Sequence, residues 1–377
     1  MRQLLLTFLL LLASAQAGMA VTVSPDTVDG GGRRGFFRGV GSFFTKIFRG
    51  FNDVDTNYIE PQHYNYTAML QNTNTYEEYT LKSKSGQSVS FAPRPTVKAG
   101  PYIGWRWLFL GYTFGLRNRG GGENKKEFDL SIYSSLLGID LYYRRSGDNY
   151  RIMSTNIMGD KNSARFRKIP FGGINSSIKG FDVYYIFNHR KFSYPAAFSQ
   201  STCQKRSCGS PLLGVGYTSH SISLDHEELQ NTLSSYAADK LGMTEEVKID
   251  SGLMFSSVKY SSISVSGGYA YNWVFARNCL LSASLSLAVA YKESKADRTD
   301  GQASGMKAFS FKNFNFDGIG RFGAVWNNRK WFVGASVVLH SYTYRKSLFS
   351  TSSYFGSLNI YAGMNFGKKR NYKQKKT

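Results

Sequence analysis

Cysteine is almost missing from this chain: there are three in 377 residues. None of them stands at a Cys/His spacing that would hold zinc, and no other metal or cofactor motif appears. Cys203 and Cys208 enclose four residues, a spacing that fits a small disulfide loop in an oxidising compartment or two free thiols in a turn. Long hydrophobic runs are missing too. No internal stretch approaches the ~18 apolar residues of a transmembrane helix. Proline is scarce, at 8 residues, which leaves long strands uninterrupted. Acidic residues are in deficit, 25 against 47 Lys and Arg, for a formal charge of +22. The basic residues do not form one stripe. They gather in 33–49, at turns and in the tail from Lys368, a distribution that argues against nucleic acid. Anionic lipid headgroups, peptidoglycan carboxylates or an anionic solute are better-matched neighbours for an exported chain.

What the chain has is alternation. From Ile263, every second residue is apolar or aromatic up to Phe275, with Ser262, Ser264, Ser266 and Asn272 on the other phase. After a turn at Ala276–Asn278 the pattern resumes. Leu281, Leu285, Leu287 and Val289 take one phase; Ser282, Ser284 and Ser286 take the other. A period of two means β-strand. Strands of about 9–11 residues with an apolar outer face and a polar inner face are what a membrane-spanning barrel requires. The last strand repeats the pattern, with Leu358 and Ile360 outward and Ser357, Asn359 and Asn365 inward. Aromatics make up 15% of the chain, enough to furnish girdles at both membrane interfaces.

Residues 1–17 read as a signal peptide: Arg2, an apolar run Leu4–Leu12, then Ala15-Gln16-Ala17. Residues 18–34 read as a flexible lead-in and 35–52 as a basic, Phe-rich amphipathic helix. Residues 53–73 read as a connection, 74–367 as the barrel and 368–377 as a disordered basic tail. The expected fold is an all-β, antiparallel, up-and-down transmembrane barrel of about twelve strands. Its strands are expected at 74–82, 87–103, 105–116, 127–144, 149–157, 176–188, 209–224, 254–275, 278–292, 307–327, 330–345 and 352–366. The phase slips inside 127–144 and 307–327 read as β-bulges. A short helix over 226–242, capped by Asp225, is expected in the longest external loop. Short connections are expected at Gly104, 145–148, 276–277 and 327–329. Longer polar ones alternate with them, and an even strand count puts both termini in the periplasm of a Gram-negative outer membrane. The connection 189–208 breaks that alternation by being long on the short-turn side.

The stretches Pro101–Tyr112 and Tyr184–Ser201, with Met69–Thr73 and Phe91-Ala92-Pro93, resemble a Bacteroidetes family known as domain of unknown function 4421. The resemblance runs from about Asp55 to the last strand. It implies an exported outer-membrane barrel and carries no activity or site residues.

No catalytic set emerges. None of the five His has a Ser two positions on, the same-face spacing of barrel phospholipases. Asp129, Asp140, Asp182 and Asp317 are strand acids whose pairing the sequence leaves open. The leading expectation is a porin-like barrel that passes or binds a small polar or anionic solute and has outer-membrane lipid around it. Two alternatives stand beside it: a barrel enzyme acting on lipid through His220 or His340, or a structural partner docking a periplasmic protein. The serines of the inner face serve an open lumen and a filled one equally well.

Overall fold

The computed structural model describes residues 54–105, 108–111, 114–115, 126–147, 149–159, 165–243, 247–294, 313–345 and 349–373. They lie within one compact unit, Arg49–Thr377. The expected signal peptide, lead-in and amphipathic helix fall outside the described residues.

The strands in chain order are β1 (Ile59–Pro61), β2 (Tyr64–Ser83), β3 (Ser88–Pro93), β4 (Thr96–Trp105), β5 (Leu108–Gly111) and β6 (Phe114–Gly115). Then come β7 (Lys126–Tyr133), β8 (Leu137–Arg145), β9 (Tyr150–Thr155), β10 (Ile169–Phe171), β11 (Ile174–Ile186) and β12 (Thr202–Gln204). Last are β13 (Cys208–Leu224), β14 (Ser257–Ala276), β15 (Cys279–Ser294), β16 (Phe314–Asn327), β17 (Trp331–Arg345) and β18 (Phe349–Lys368). Among the described residues three helices accompany them: α1 (Tyr194–Phe198), α2 (His226–Leu241) and α3 (Arg370–Lys373).

All the ladders are antiparallel. The wall runs β4, β2, β18, β17, β16, β15, β14, β13, β11, β8, β7, with β5 and β6 on the free side of β4. Tyr102 opposite Gly111 and Ala99 opposite Phe114 keep one register, so β5 and β6 are two parts of one strand. That makes twelve wall positions. The described residues record no ladder between β5–β6 and β7, the two ends of the path.

The curl of the sheet is set by side chains that meet across it. β8 and β16 have four strands between them along the path, about 24 Å in a flat sheet at ~4.8 Å per strand. Yet Arg321 of β16 bonds Asp140 of β8. Tyr142 of β8 and Tyr342 of β17 share a hydrogen bond of 2.6 Å. Tyr79 of β2 packs against His220 of β13, ring centroids 5.7 Å apart. Only a sheet rolled with one face inward brings these strands together.

The opposite face is an apolar band. Ile263, Val265, Leu281, Leu285, Leu287, Val289, Leu358 and Ile360 all point outward and are exposed. Tyr66, Trp273, Phe275, Trp326, Trp331 and Phe366 stand outward at the short-turn end, and Tyr76, Phe314, Phe316 and Tyr354 toward the other. From Leu281 to Tyr291 is ~33 Å of strand, which a tilt near 40° reduces to about the height of a bilayer's apolar layer. A continuous outward apolar band of that height, over a polar interior, is the signature of a membrane-spanning barrel.

Several boundaries differ from the sequence reading. Residues 127–144 are a hairpin, not one bulged strand. Ser134 Oγ accepts from Leu137 N–H at 2.8 Å, and Ser134 N–H donates to the Leu137 carbonyl at 2.9 Å, closing a tight turn. Residues 64–83 form one strand, so the second half of the expected 53–73 connection, from Tyr64 on, is barrel wall. Pro93-Arg94-Pro95 splits 87–103 into β3 and β4, because proline cannot extend a ladder on both sides. The stretch 149–157 leaves the wall: β3, β9 and β10 make a small sheet that branches from the top of β2. A merged hairpin and a misassigned strand therefore cancelled in the count of twelve. The connection at 145–148 lies at the loop end, not the turn end. The tail is not disordered from residue 368. β18 runs to Lys368, α3 follows, and Tyr372 stacks on His63 at 4.0 Å.

Candidate functional site

The barrel interior is where the chemistry gathers, and it is occupied at three levels. At the turn end the long β11–β13 connection folds back inside the wall. Ser193 Oγ caps α1 by accepting from Ala196 N–H at 3.2 Å, and Pro195 pre-sets its first turn. Phe192, Ser193, Tyr194, Ala196, Ala197 and Gln200 are buried. Wall side chains hold this segment. Asn272 Nδ2 donates to the Ser193 carbonyl (2.8 Å) and to Gln204 Oε1 (3.0 Å). Gln200 Nε2 donates to Tyr361 Oη at 3.0 Å and Asn327 Nδ2 donates to Gln200 Oε1 at 3.1 Å. β12 pairs with β1, so residues before the barrel join the same plug.

In the middle, one ion pair and several aromatic rings cross the lumen, and two further ion pairs join neighbouring strands on its wall. Arg321, 1% exposed, pairs with Asp140, and its guanidinium lies 4.5 Å from the centre of the Tyr184 ring. Lys292 Nζ donates to Asp317 Oδ1 and to the Thr343 carbonyl, both at 2.6 Å. Arg144 pairs with Asp129 at 3.0 Å and lies over Phe355. Tyr142 shares hydrogen bonds with Thr218 and Tyr342. His340 stacks on Phe355 at 4.8 Å. Some buried polar atoms here have no protein partner, among them Asp140 Oδ1, Asp182 Oδ2, Asp317 Oδ2 and Arg321 Nε.

At the loop end a separate apolar core sits over the interior. Tyr79, Leu81, Phe91, Ile152, Phe171, Ile222, Leu224, Leu229, Leu233 and Leu253 pack together from β2, β3, β9, β10, β13, α2 and the turn at Ser251–Leu253. α2 is capped as its sequence asks: Asp225 accepts from Glu228 N–H at 2.9 Å and Gly242 closes it at φ 65°.

The inner-face residues read from sequence fall as follows. Ser262, Asn272, Ser282, Ser284, Ser286 and Asn365 are inward and buried; Ser264, Ser266, Ser357 and Asn359 are inward and half-buried. The four strand acids acquire bases or acid neighbours that no sequence spacing shows: Asp129 with Arg144, Asp140 with Arg321, Asp317 with Lys292, and Asp182 opposite Asp140 in the ladder. The sequence reading missed Arg321 and Lys292. Both occupy the polar phase of otherwise amphipathic strands, which is the signal that could have found them.

The disulfide alternative is corrected. All three cysteines are free. Cys203 sits in β12 opposite Glu60, its thiol toward the Asn327 carbonyl, while Cys208 opens β13 and takes a hydrogen bond from Asn188 Nδ2. The two side chains belong to different neighbourhoods. Burial, with the nearby Glu60 carboxylate, pushes the Cys203 thiol up to about 12.

At His220 a serine hydroxyl meets a base. Its Nε2 is 3.1 Å from Ser176 Oγ and its Nδ1 2.5 Å from Tyr260 Oη. Ser176 and His220 are both fully buried beneath the loop-end core, and the third member is a phenol rather than a carboxylate. The arrangement fits a hydrogen-bonded core histidine.

A family model described as Domain of unknown function (DUF4421) matches residues 53–366. The chain belongs to that family. The match runs from before β1 to two residues short of the end of β18 and so takes in nearly all of the wall. No curated protein matches the chain. Among solved structures, the outer membrane protease OmpT from Escherichia coli is similar at 7% identity, over 80% of this chain and 97% of that one, with a TM-score of 0.35. The P. putida toluene transporter TodX is similar at 7% identity, over 81% and 91%, with a TM-score of 0.23. The transport unit of the autotransporter AIDA-I from Escherichia coli is similar at 9% identity, over 80% and 90%, with a TM-score of 0.29. At such scores the argument rests on the sheet itself.

Proposed function

We propose that this DUF4421 barrel does not conduct through its lumen. It serves instead as a membrane-anchored scaffold whose binding surfaces lie at its two ends. The carrying observation is the inward-folded segment 192–204, hydrogen-bonded to the wall by Asn272, Tyr361 and Asn327. An open porin needs a continuous polar channel; here the inward faces are spent on one another. With short turns periplasmic, the turn end of the wall, where β2 begins and β18 ends, faces the periplasm. That side carries Lys191 and Arg206 over the Tyr58 ring (5.1 and 5.8 Å), with Lys205 beside them. A basic, aromatic platform of this kind suits an acidic periplasmic partner.

The test is conductance of the refolded protein in a planar bilayer. The expected result is no steady channel. Stable ohmic steps from the wild-type protein would sink the proposal. Photo-crosslinking from position 205 in cells should then yield a periplasmic adduct that a probe at position 86, at the loop end, does not.

One observation favours a second reading, passage of a small polar solute. Gln71, Thr73, Ser357 and Asn359 are inward yet half-exposed, and three of them are hydrogen-bonded together: Thr73 Oγ1 and Gln71 Nε2 both donate to Asn359 Oδ1, at 2.8 and 3.1 Å. On this reading, conductance appears and changes when Asn359 is enlarged.

A further inference from the structure

The wall of the barrel forks where β2 changes partners. Its lower half pairs with β4 up to Thr75, and its upper part with β3 from Tyr79. At the fork lies a cavity of about 250 Å³ lined by Thr75, Tyr76, Glu77, Ala92–Pro95, Arg151, Met153 and Lys168. Tyr76 is an outward residue of β2, and Arg151 and Met153 are on the phase of β9 opposite its core residues Tyr150 and Ile152. The cavity therefore opens on the outer surface, at the height of the loop-end aromatic residues Tyr76 and Tyr354.

Its chemistry is divided. Ala92, Pro93, Pro95, Met153 and the Tyr76 ring make an apolar floor. Arg94, Arg151 and Lys168 bring three cations, and among the described residues none of the three side chains has an ion-pair or hydrogen-bond partner. Two acids stand beside them with partners of their own: Glu78 accepts from Tyr76 Oη, and Glu77, which lines the cavity from the inward phase of β2, accepts from Tyr79 Oη at 3.4 Å. Lys168 is held at φ 58°, a left-handed conformation in which Asn or Gly is more at ease than Lys. Such local strain is retained where the side chain has work to do.

We infer that this fork is a binding site for the phosphate-bearing headgroup of a membrane amphiphile in the loop-side leaflet, with phosphate against Arg94, Arg151 and Lys168 and an acyl chain on the apolar floor. Three unpaired cations above an apolar cavity at the membrane interface match a charged head on an apolar tail, and match a freely soluble anion less well. The inference rests on the membrane-spanning reading of the barrel and goes beyond it by naming a site and a ligand class.

The experiment is native mass spectrometry of the full-length protein in detergent, titrated with diphosphorylated lipid A, with its dephosphorylated form and with inorganic phosphate. Wild type should retain lipid A and lose it about tenfold or more in affinity when Arg94→Gln, Arg151→Gln and Lys168→Asn are combined. Lys168→Asn alone should weaken binding without loss of stability, since Asn tolerates that backbone. Lys205→Gln with Arg206→Gln, at the other end, should leave lipid A binding unchanged. Equal retention of the dephosphorylated lipid, full competition by inorganic phosphate at equimolar concentration, or an unaffected triple variant would each overturn the inference. Heat-modifiable gel migration of every variant is measured in parallel. A wild type that lacks it refutes the barrel, whereas a heat-modifiable barrel without lipid selectivity refutes the site alone.

Discussion

Asp140→Asn should be among the most damaging single-atom exchanges in this protein. The substitution keeps volume and removes the charge that neutralises Arg321. Both members of the pair are almost fully buried, with side chains 5% and 1% exposed. Breaking a buried pair by removing one partner typically costs about 3–5 kcal/mol, because the other charge is stranded. That is roughly two to three and a half powers of ten in the unfolding constant. The cation cannot turn to water without leaving the Tyr184 ring, which covers it at 4.5 Å. A control is built into the molecule. Arg329 pairs with Glu60 at 2.8 Å, but with side chains 43% and 23% exposed, so Glu60→Gln should cost under about 1 kcal/mol. Replacing both buried partners, Asp140→Leu with Arg321→Met, should restore stability to wild type or above it. The assay is equilibrium urea unfolding in lipid vesicles followed by tryptophan fluorescence. If Asp140→Asn costs no more than Glu60→Gln, bulk water reaches Arg321, the interior is a wet channel, and the filled-lumen argument fails.

Gly138→Ala places a Cβ 2.0 Å from the Tyr184 ring and should cost about 1–3 kcal/mol by urea unfolding, whereas Gly267→Ala, with nothing within 4 Å, should be silent. The Cys203 thiol should resist maleimide at pH 8 in folded protein and react after unfolding, and reduction should not shift gel migration; a reduction-dependent shift would show the 203–208 bond after all. His63 at the turn end is held below its ordinary value of 6.5, first by burial and then by Arg329, Lys369 and Lys368, against the opposing pull of Glu60. Its contribution to stability is therefore full above pH 6.5 and is lost as pH falls below it, a loss that His63→Gln should remove from a pH series of unfolding curves.

The wall of this barrel was readable because a strand in a membrane has no freedom of phase. Ile263, Val265, Leu285 and Leu287 face outward for the same reason that Ser262, Ser284 and Ser286 face inward: each β-strand has two faces and the lipid selects one. Turn chemistry was harder to read. Ser134 to Leu137 carries no Gly, Pro, Asn or Asp, so the β7–β8 turn looked like a change of phase inside one strand. Pro93 and Pro95 were visible, but their consequence was not: the break they make is where β3 leaves the wall and β4 joins it.

The interior was the least legible part, and the reason is geometric. Within a strand or hairpin, partners follow from register. Across a lumen, they follow from the stagger and tilt of the whole sheet, which no single strand encodes. Asp140 and Arg321 are 181 positions apart, and Tyr142 and Tyr342 are 200 apart. What the sequence did carry was phase: acids 140, 182 and 317 and bases 292 and 321 all sit on the polar side of their strands. Charges of both signs on the inward phase of one barrel cannot all remain unpaired at low dielectric. An interior that contains them must either flood with water or pair them, between neighbouring strands as Lys292 does with Asp317 or across the lumen as Arg321 does with Asp140. The aromatic rings beside them, Tyr142, Tyr184, Tyr342 and Phe355, displace the water that flooding would need. The long β11–β13 connection is the other half of the same solution. Once the turn end is filled by residues 192–204, the interior charges lose access to bulk water from that side, and pairing with one another becomes the state of lower free energy.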